Sequence, residues 1–474
     1  MLKKLPLAVF IEPDILGNTE KRLDPFYYCN LKFPPYIKSK LALLGEMCNV
    51  NPKRKIEGLR DDALVPYIGL PDTDEHTGAV VNIERRPYKQ VRGRNIVSEN
   101  DILFARIEPS IYNQKYIYVD RLPEKQKYAF TSTEFHVLEP KEGINPKYIF
   151  WIIRTDYVYN QVFGKVRGTT GRRRLDKREL EEFKLPFPPH EKRQQIVRIM
   201  EIAYKEKIEK LKRSRELIEG INNFVLGKLD MELPRTEEDR TTRVNLDTDL
   251  ESRFDVAYYH PKYLTLLNSI ESSPYDVKLL KEISKSIVSG QRPKGGVKYI
   301  KDGIPSIGGE HITSEADFNF ENIRFISKEF HEKQKKSWIK PFDILIVKDG
   351  ATTGKVAIIP KNFYFQDCNI NEHVFKIEVE KGNNPYYIFS YLLSSLGQAQ
   401  ITRLMSGATQ KGITRDAIEK VKIIAPGTVV QDRIAGEVKE RMEEYRKLKK
   451  EAEKVAKRAK ERVEKIIAGK SLPH

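Results

Sequence analysis

The feature of this chain best suited to chemistry is a run of cations on a glycine-rich stretch. Gly164-Lys165-Val166-Arg167-Gly168-Thr169-Thr170-Gly171-Arg172-Arg173-Arg174 sets five cations within eleven residues, and Lys177 and Arg178 follow closely. Glycines let backbone amides approach phosphates, and a guanidinium can pair bidentately with a phosphate or a guanine edge. Ser406-Gly407-Ala408-Thr409-Gln410-Lys411-Gly412 is a second, less basic stretch of the same style, with Thr409, Gln410 and Lys411 as donors. Arg85, Arg86, Arg92 and Arg94 in the first half, and Arg292, Lys294, Lys298 and Lys348 in the second, are further candidates for contact with a polyanion. Charge clusters of this kind also occur on ordinary solvated faces, so the 164–174 stretch carries more of the argument than the others.

Motifs that suggest catalysis fail on inspection. Gly350-Ala351-Thr352-Thr353-Gly354-Lys355-Val356 approximates a phosphate-binding loop, but it has one residue too few between its glycines. Val356 also stands where a magnesium-binding hydroxyl is needed. It reads as a turn between a strand ending at Val347 and another starting at Val356. Phe33-Pro34-Pro35-Tyr36 resembles the Asn/Asp-Pro-Pro-Tyr element of amino-methyltransferases, yet Phe33 cannot hold an amino group. An extended proline-rich segment is the simpler reading. Histidines number eight, and no nucleophile triad or paired-carboxylate spacing stands out. Phe135-His136 and Glu372-His373 are read as equivalent places in two halves, without a metal role. Cys29, Cys48 and Cys368 show no zinc or disulfide spacing. No catalytic residue, metal or cofactor is therefore expected on this chain.

The 474 residues exceed one hydrophobic core, and 39% hydrophobic with 32% charged residues supports folded domains. A formal charge of +17 favours a polyanionic partner. No apolar run approaches the ~20 residues of a membrane helix, so a cytoplasmic protein without membrane contact is expected.

The elements that must position these residues are duplicated. Arg22-Leu23-Asp24-Pro25-Phe26-Tyr27-Tyr28 recurs as Arg253-Phe254-Asp255-Val256-Ala257-Tyr258-Tyr259. Val65-Pro66-Tyr67-Ile68-Gly69 recurs as Ile304-Pro305-Ser306-Ile307-Gly308, and Asp101-Ile102-Leu103 as Asp343-Ile344-Leu345. Asn145-Pro146 matches Asn384-Pro385, and Gly168-Thr169-Thr170 matches Gly407-Ala408-Thr409. All matches keep their order, between 231 and 242 positions apart, so the repeat is half the chain rather than a short stacking unit. Runs such as 101–105 and 343–347 predict buried strands, and one helix is expected after each Asn-Pro, over 148–159 and 386–405. The fold class is α+β: two tandem mixed α/β domains at 1–187 and 250–425, with a polar linker at 232–249.

A long helix is expected to close each half, within 188–231 after Pro188-Pro189 and within 426–474 after Pro426-Gly427. In the first, Val197, Tyr204, Ile208, Leu211, Ile218 and Val225 trace a narrow apolar seam whose remaining positions are Glu201, Arg215 and Asn222. In the second, Tyr445, Leu448, Ala452, Val455, Ala459 and Ile466 do the same, with Arg462 as the one polar occupant. A narrow seam with charged flanks suits an antiparallel coiled coil and an internal twofold relation between the halves. About 38 residues of helix would span about 57 Å, which suits a spacer.

With these residues in hand, the chain resembles the specificity subunits of type I restriction–modification systems over nearly its whole length. The likeness rests on Leu185-Pro186-Phe187-Pro188-Pro189 leading through Gln194-Gln195-Ile196 into a helix, on Ser406–Ile413 followed by a second helix, and on the Tyr-Tyr elements at 24–28 and 255–259. The second helix entry, Thr428 to Ile434, lacks the Glu-Gln pair common in that family. The resemblance implies two target-recognition domains reading a split, asymmetric site in double-stranded DNA. It implies a helical spacer that docks two methyltransferase subunits, with restriction subunits added. S-adenosylmethionine and ATP would then bind those partners. The competing readings are a coiled-coil scaffold with incidental basic charge and a stand-alone DNA methyltransferase or nuclease.

Overall fold

The computed structural model describes residues 39–123, 126–162, 165–169, 173–233, 255–293, 298–407 and 411–470. The first repeat element at 22–28, the Phe33-Pro34-Pro35-Tyr36 segment, the linker from residue 234, and the candidates Thr170, Arg172, Lys294, Thr409 and Gln410 lie outside the described residues. Two compact units are formed, one by 1–210 with 450–474 and the other by 211–449.

In the first unit the central sheet runs in the order Cys48–Val50, Phe135–Pro140, Ile102–Ala105, Tyr116–Tyr118, Ala79–Val80, Thr73–Asp74. Side chains on Ile102–Ala105 alternate between two cores, as strand geometry requires. Ile102 and Phe104 face a helical layer that includes Tyr148, Ile152 and Ile196, while Leu103 and Ala105 face Ile68, Val97 and Val119. A second sheet, ordered Glu84–Pro87, Leu64–Ile68, Ala129–Thr131, Ile96–Val97, lies beyond. The second unit repeats the plan. Its main sheet runs Ser284–Ser289, Val374–Val379, Ile344–Val347, Val356–Ile358, and its smaller one Arg324–Ile326, Ile304–Ile307, Asn369–Ile370. Ile344 and Ile346 face the helical layer, Leu345 and Val347 the other side. Because both faces of these strands are covered, they read as unbroken apolar runs.

The single helix expected after each Asn-Pro is two. Pro146–Ile153 stops before Asp156–Tyr159, and Pro385–Leu393 before Ser395–Leu404. The break falls on a hydroxyl residue each time: Thr155 Oγ1 donates to the Ile152 carbonyl at 2.6 Å, and Ser394 Oγ to that of Tyr391 at 2.7 Å. Both residues adopt extended ψ angles, 153° and 166°, so the chain turns there. Such residues compete for the backbone and favour caps over helix interiors.

The long helices span His190–Lys228 and Thr428–Ile467, and each contributes residues to both units. In the first unit Ile196, Val197, Met200 and Tyr204 share a core with Ala456, Ala459, Val463 and Ile466. In the second, Ile221 and Val225 share one with Ile434, Val438 and Met442.

The seam differs from the expected one in its phase. Val197, Tyr204 and Val225 are buried and Leu211 and Ile218 half-buried, but Ile208 is 41% exposed. The alternate positions are Met200, Ser214 and Ile221, each at most 1% exposed, rather than 201, 208, 215 and 222. A step of three from Val197 therefore wins over a step of four. Glu201 instead reaches Lys147, and Asn222 Oδ1 accepts the Ser395 N–H at 2.8 Å, capping the helix that begins there. On the second helix Tyr445, Leu448, Ala452, Ala459 and Ile466 are buried and Val455 is half-buried. Val463, not the exposed Arg462, fills the position between Ala459 and Ile466.

Candidate nucleic-acid interface

In both units the glycine-rich stretch is stitched to the exit of the buried central strand by the same backbone bonds. Leu175 N–H donates to the Arg106 carbonyl at 2.8 Å, and Arg106 N–H to that of Glu134 at 2.9 Å. In the second unit Ile413 N–H donates to the Lys348 carbonyl at 2.8 Å, and Lys348 N–H to that of His373 at 2.8 Å. A cation, Arg106 or Lys348, thus stands at each strand exit with the loop beside it. Gly168 and Gly407, matched in the repeat, have φ of 122° and 108°, which side-chain-bearing residues rarely adopt.

The loop cations of the first unit are engaged by carboxylates. Arg174 pairs bidentately with Glu134 at 3.0 and 2.7 Å, Arg167 with Glu179 at 2.8 Å, Lys165 with Glu179 at 3.8 Å, and Arg173 with Glu108 at 3.9 Å. Thr169 is exposed. Arg85, Arg86, Arg92 and Arg94 lie on and after the Glu84–Pro87 strand, on the unit's other sheet. Arg86 stacks 3.9 Å over Tyr67 and bonds Glu84, Arg94 also lies over Tyr67, and Arg92 pairs with Asp61. Arg85 is exposed. The structure therefore presents two basic patches in this unit rather than one.

In the second unit the candidates gather around a groove of about 810 Å³, lined by Lys333, Lys335, Lys336, Lys348 and Arg415 against the single carboxylate of Glu332. Sequence reasoning singled out Lys348 but missed the other four cations. The run Lys333-Gln334-Lys335-Lys336 was a visible signal, yet only the fold brings it to Lys348 and Arg415. Arg292 bonds Glu372 at 3.0 Å, and His373 Nδ1 bonds Asp349, beside Lys348. Lys411 and Lys298 are exposed.

Strand register separates the two histidines that the repeat had paired. Ile102 faces Leu138 as Ile344 faces Ile377, so Phe104 faces His136 where Ile346 faces Phe375. His136 therefore matches Phe375, and His373 matches Glu134. His136 is buried, its Nε2 2.8 Å from the Leu175 carbonyl and its Nδ1 3.0 Å from Asn51 Nδ2. Burial pulls it down to about 4. No group of metal-ligating side chains occurs among the described residues. The Gly350–Val356 segment is a hairpin turn, with Gly354 N–H given to Val347 and Lys355 N–H to Thr352. Those amides bond within the turn. No helix among the described residues is long and apolar enough to cross a membrane.

The duplicated architecture has a counterpart among known families. The family model for the type I restriction modification DNA specificity domain matches residues 38–219 and again 272–454. The chain belongs to this family and carries two copies of its domain. It is 26% identical over 156 residues to the EcoEI specificity subunit of Escherichia coli, covering 32% of this chain and 26% of that protein. The match thus spans about a quarter of that relative's length. A Haemophilus influenzae protein described as a type I restriction enzyme specificity subunit is 23% identical over 311 residues, 64% of this chain and 66% of its own. Among solved structures, the HsdS subunit from Thermoanaerobacter tengcongensis aligns over 93% of this chain and 98% of its own, at 18% identity and a TM-score of 0.35. The S subunit from M. genitalium aligns over 92% and 98%, at 12% identity and a TM-score of 0.44. These relatives are specificity subunits, and the chain stands with them rather than with the enzymes of such systems.

Proposed function

We propose that this chain is the DNA-reading, non-catalytic subunit of a type I restriction–modification complex. Each unit would recognise one part of a split, asymmetric duplex site through its strand-exit loop. The two long helices would pair antiparallel as a coiled coil that fixes the gap and relates the halves by an internal twofold. That pairing is supported by the early part of one helix sharing a core with the late part of the other. Methyltransferase and restriction subunits would dock on this framework, bringing S-adenosylmethionine and ATP with them.

The observation that carries the reading is the repeated placement of a cation-bearing, glycine-containing loop at the end of a fully buried strand, in two units with different side chains. A rigid base and a variable loop are what sequence readout requires. The test is duplex binding by the chain co-purified with its methyltransferase partner. Binding that falls steeply with salt and picks out particular sequences from a random pool is expected. Equal binding to every duplex, or none, overturns the proposal. No binding at all would favour the scaffold reading.

A further inference from the structure

Equivalent positions in the two units differ in what holds the cations. In the first unit every loop cation described above has a carboxylate within 4 Å, and those carboxylates are sheltered. Glu108 and Glu179 side chains are 11% exposed and Glu134 22%, whereas their arginine partners are 42–46% exposed. Burial, and a hydrogen bond with Glu108, push the Tyr112 phenol up to about 12, so it stays a donor that fixes that carboxylate. In the second unit, register puts His373 where Glu134 stands and Gly412 where Arg174 stands. Lys335, Lys336 and Lys348 have no carboxylate partner among the described residues and line an open groove.

A carboxylate offers an arginine the same pair of acceptors that a phosphate, or the N7 and O6 edge of guanine, would offer. Arg174 on Glu134 is therefore held in the fork geometry of bidentate recognition, with its site already occupied. Phosphate alone must displace a partly buried partner that salt screens poorly. A correctly placed base edge adds contacts that phosphate cannot.

Resting on the DNA-reading function proposed above, we infer that Glu108, Glu134 and Glu179 are specificity-determining residues, internal competitors that keep the first unit's cations from gripping arbitrary duplex. The sequence-tolerant grip then comes mainly from the second unit's groove. Discrimination comes disproportionately from the first.

The test uses the full chain with its methyltransferase partner and a random-sequence duplex as probe. Glu134→Gln and Glu179→Gln each keep the size and an acceptor but remove the charge. Each should raise affinity for the random duplex about two- to fivefold at low salt, the range set by one partly exposed pair. Each should also steepen the salt dependence by about 0.9 per cation set free. Glu201→Gln, which releases Lys147 away from the loop, should leave both unchanged. Random-duplex affinity and slope equal to wild type in the two loop variants overturn the inference. Should one variant fail to fold, as judged by its melting curve, the other carries the same prediction. Wild-type protein that binds no duplex would instead sink the function on which this rests.

Discussion

Acid should unfasten the basic loop of the first unit, through His136. Its Nε2 must donate to the Leu175 carbonyl, so its Nδ1 accepts from Asn51 Nδ2. Asn51 cannot turn over to meet a protonated Nδ1, because its Oδ1 already accepts from Val137 N–H at 2.9 Å and Asn95 Nδ2 at 3.1 Å. Burial and this fixed pattern hold the neutral form, with the folded pKa at about 4 against 6.5. A depressed folded pKa contributes stability that is complete above the unfolded value, declines as pH falls from about 6.5 toward 4, and is gone below. Between pH 7 and pH 5 the loss is about 2 kcal/mol. Leu175 follows Arg174 directly, so the loosened strand is the one that presents the loop. Urea unfolding at several pH values, comparing wild type with His136→Gln, isolates the effect. Asp343, which burial pushes up to about 6, works in the opposite sense in the second unit, but it is common to both proteins and cancels in the difference. A variant with the same acid sensitivity as wild type would refute the reasoning.

Other consequences are equally direct. Replacing Lys333, Lys335 and Lys336 together by alanine should lower the salt slope of duplex binding by up to about 2.7, and an unchanged slope would remove the groove from the interface. Met200→Ala should cost about 2–5 kcal/mol as a core deletion, whereas Ile208→Ala should cost under about 1 kcal/mol, measured by chemical denaturation. Equal costs would contradict the seam's phase. Gly397→Ala should lower the melting temperature markedly, since an added Cβ would lie 2.4 Å from the Tyr391 carbonyl oxygen and 2.5 Å from Leu392 Cα. Full stability in that variant would mean the helix pair tolerates separation.

Much of the framework is visible in the residues themselves. Ile102–Ala105 and Ile344–Val347 announce themselves because strands covered on both faces are apolar throughout, and Pro188-Pro189 and Pro426-Gly427 punctuate the starts of the long helices. Where local pattern allows two answers, packing decides. From Val197 a step of three or of four reaches an acceptable residue, and only the partner surface selects Met200 over Glu201. Thr155 and Ser394 are tolerable within a helix, so nothing local marks them as breaks. The pairing of His136 with His373 failed because equivalence between strands depends on register, which sequence offset tracks only to within a few residues. The groove residues were readable as cations but not as neighbours: Lys336, Lys348 and Arg415 come from separate elements. The carboxylates beside the 164–174 loop were invisible for the same reason, since Glu108 and Glu134 arrive from elsewhere in the chain.

The most direct test is to sequence the duplexes that the chain, bound to its methyltransferase partner, retains from a random pool. Two short conserved blocks of different sequence, separated by a constant stretch of arbitrary bases, are expected from two unlike loops held at a fixed spacing. A single continuous block, blocks at variable spacing, or no enrichment would contradict a chain that reads two parts of one site.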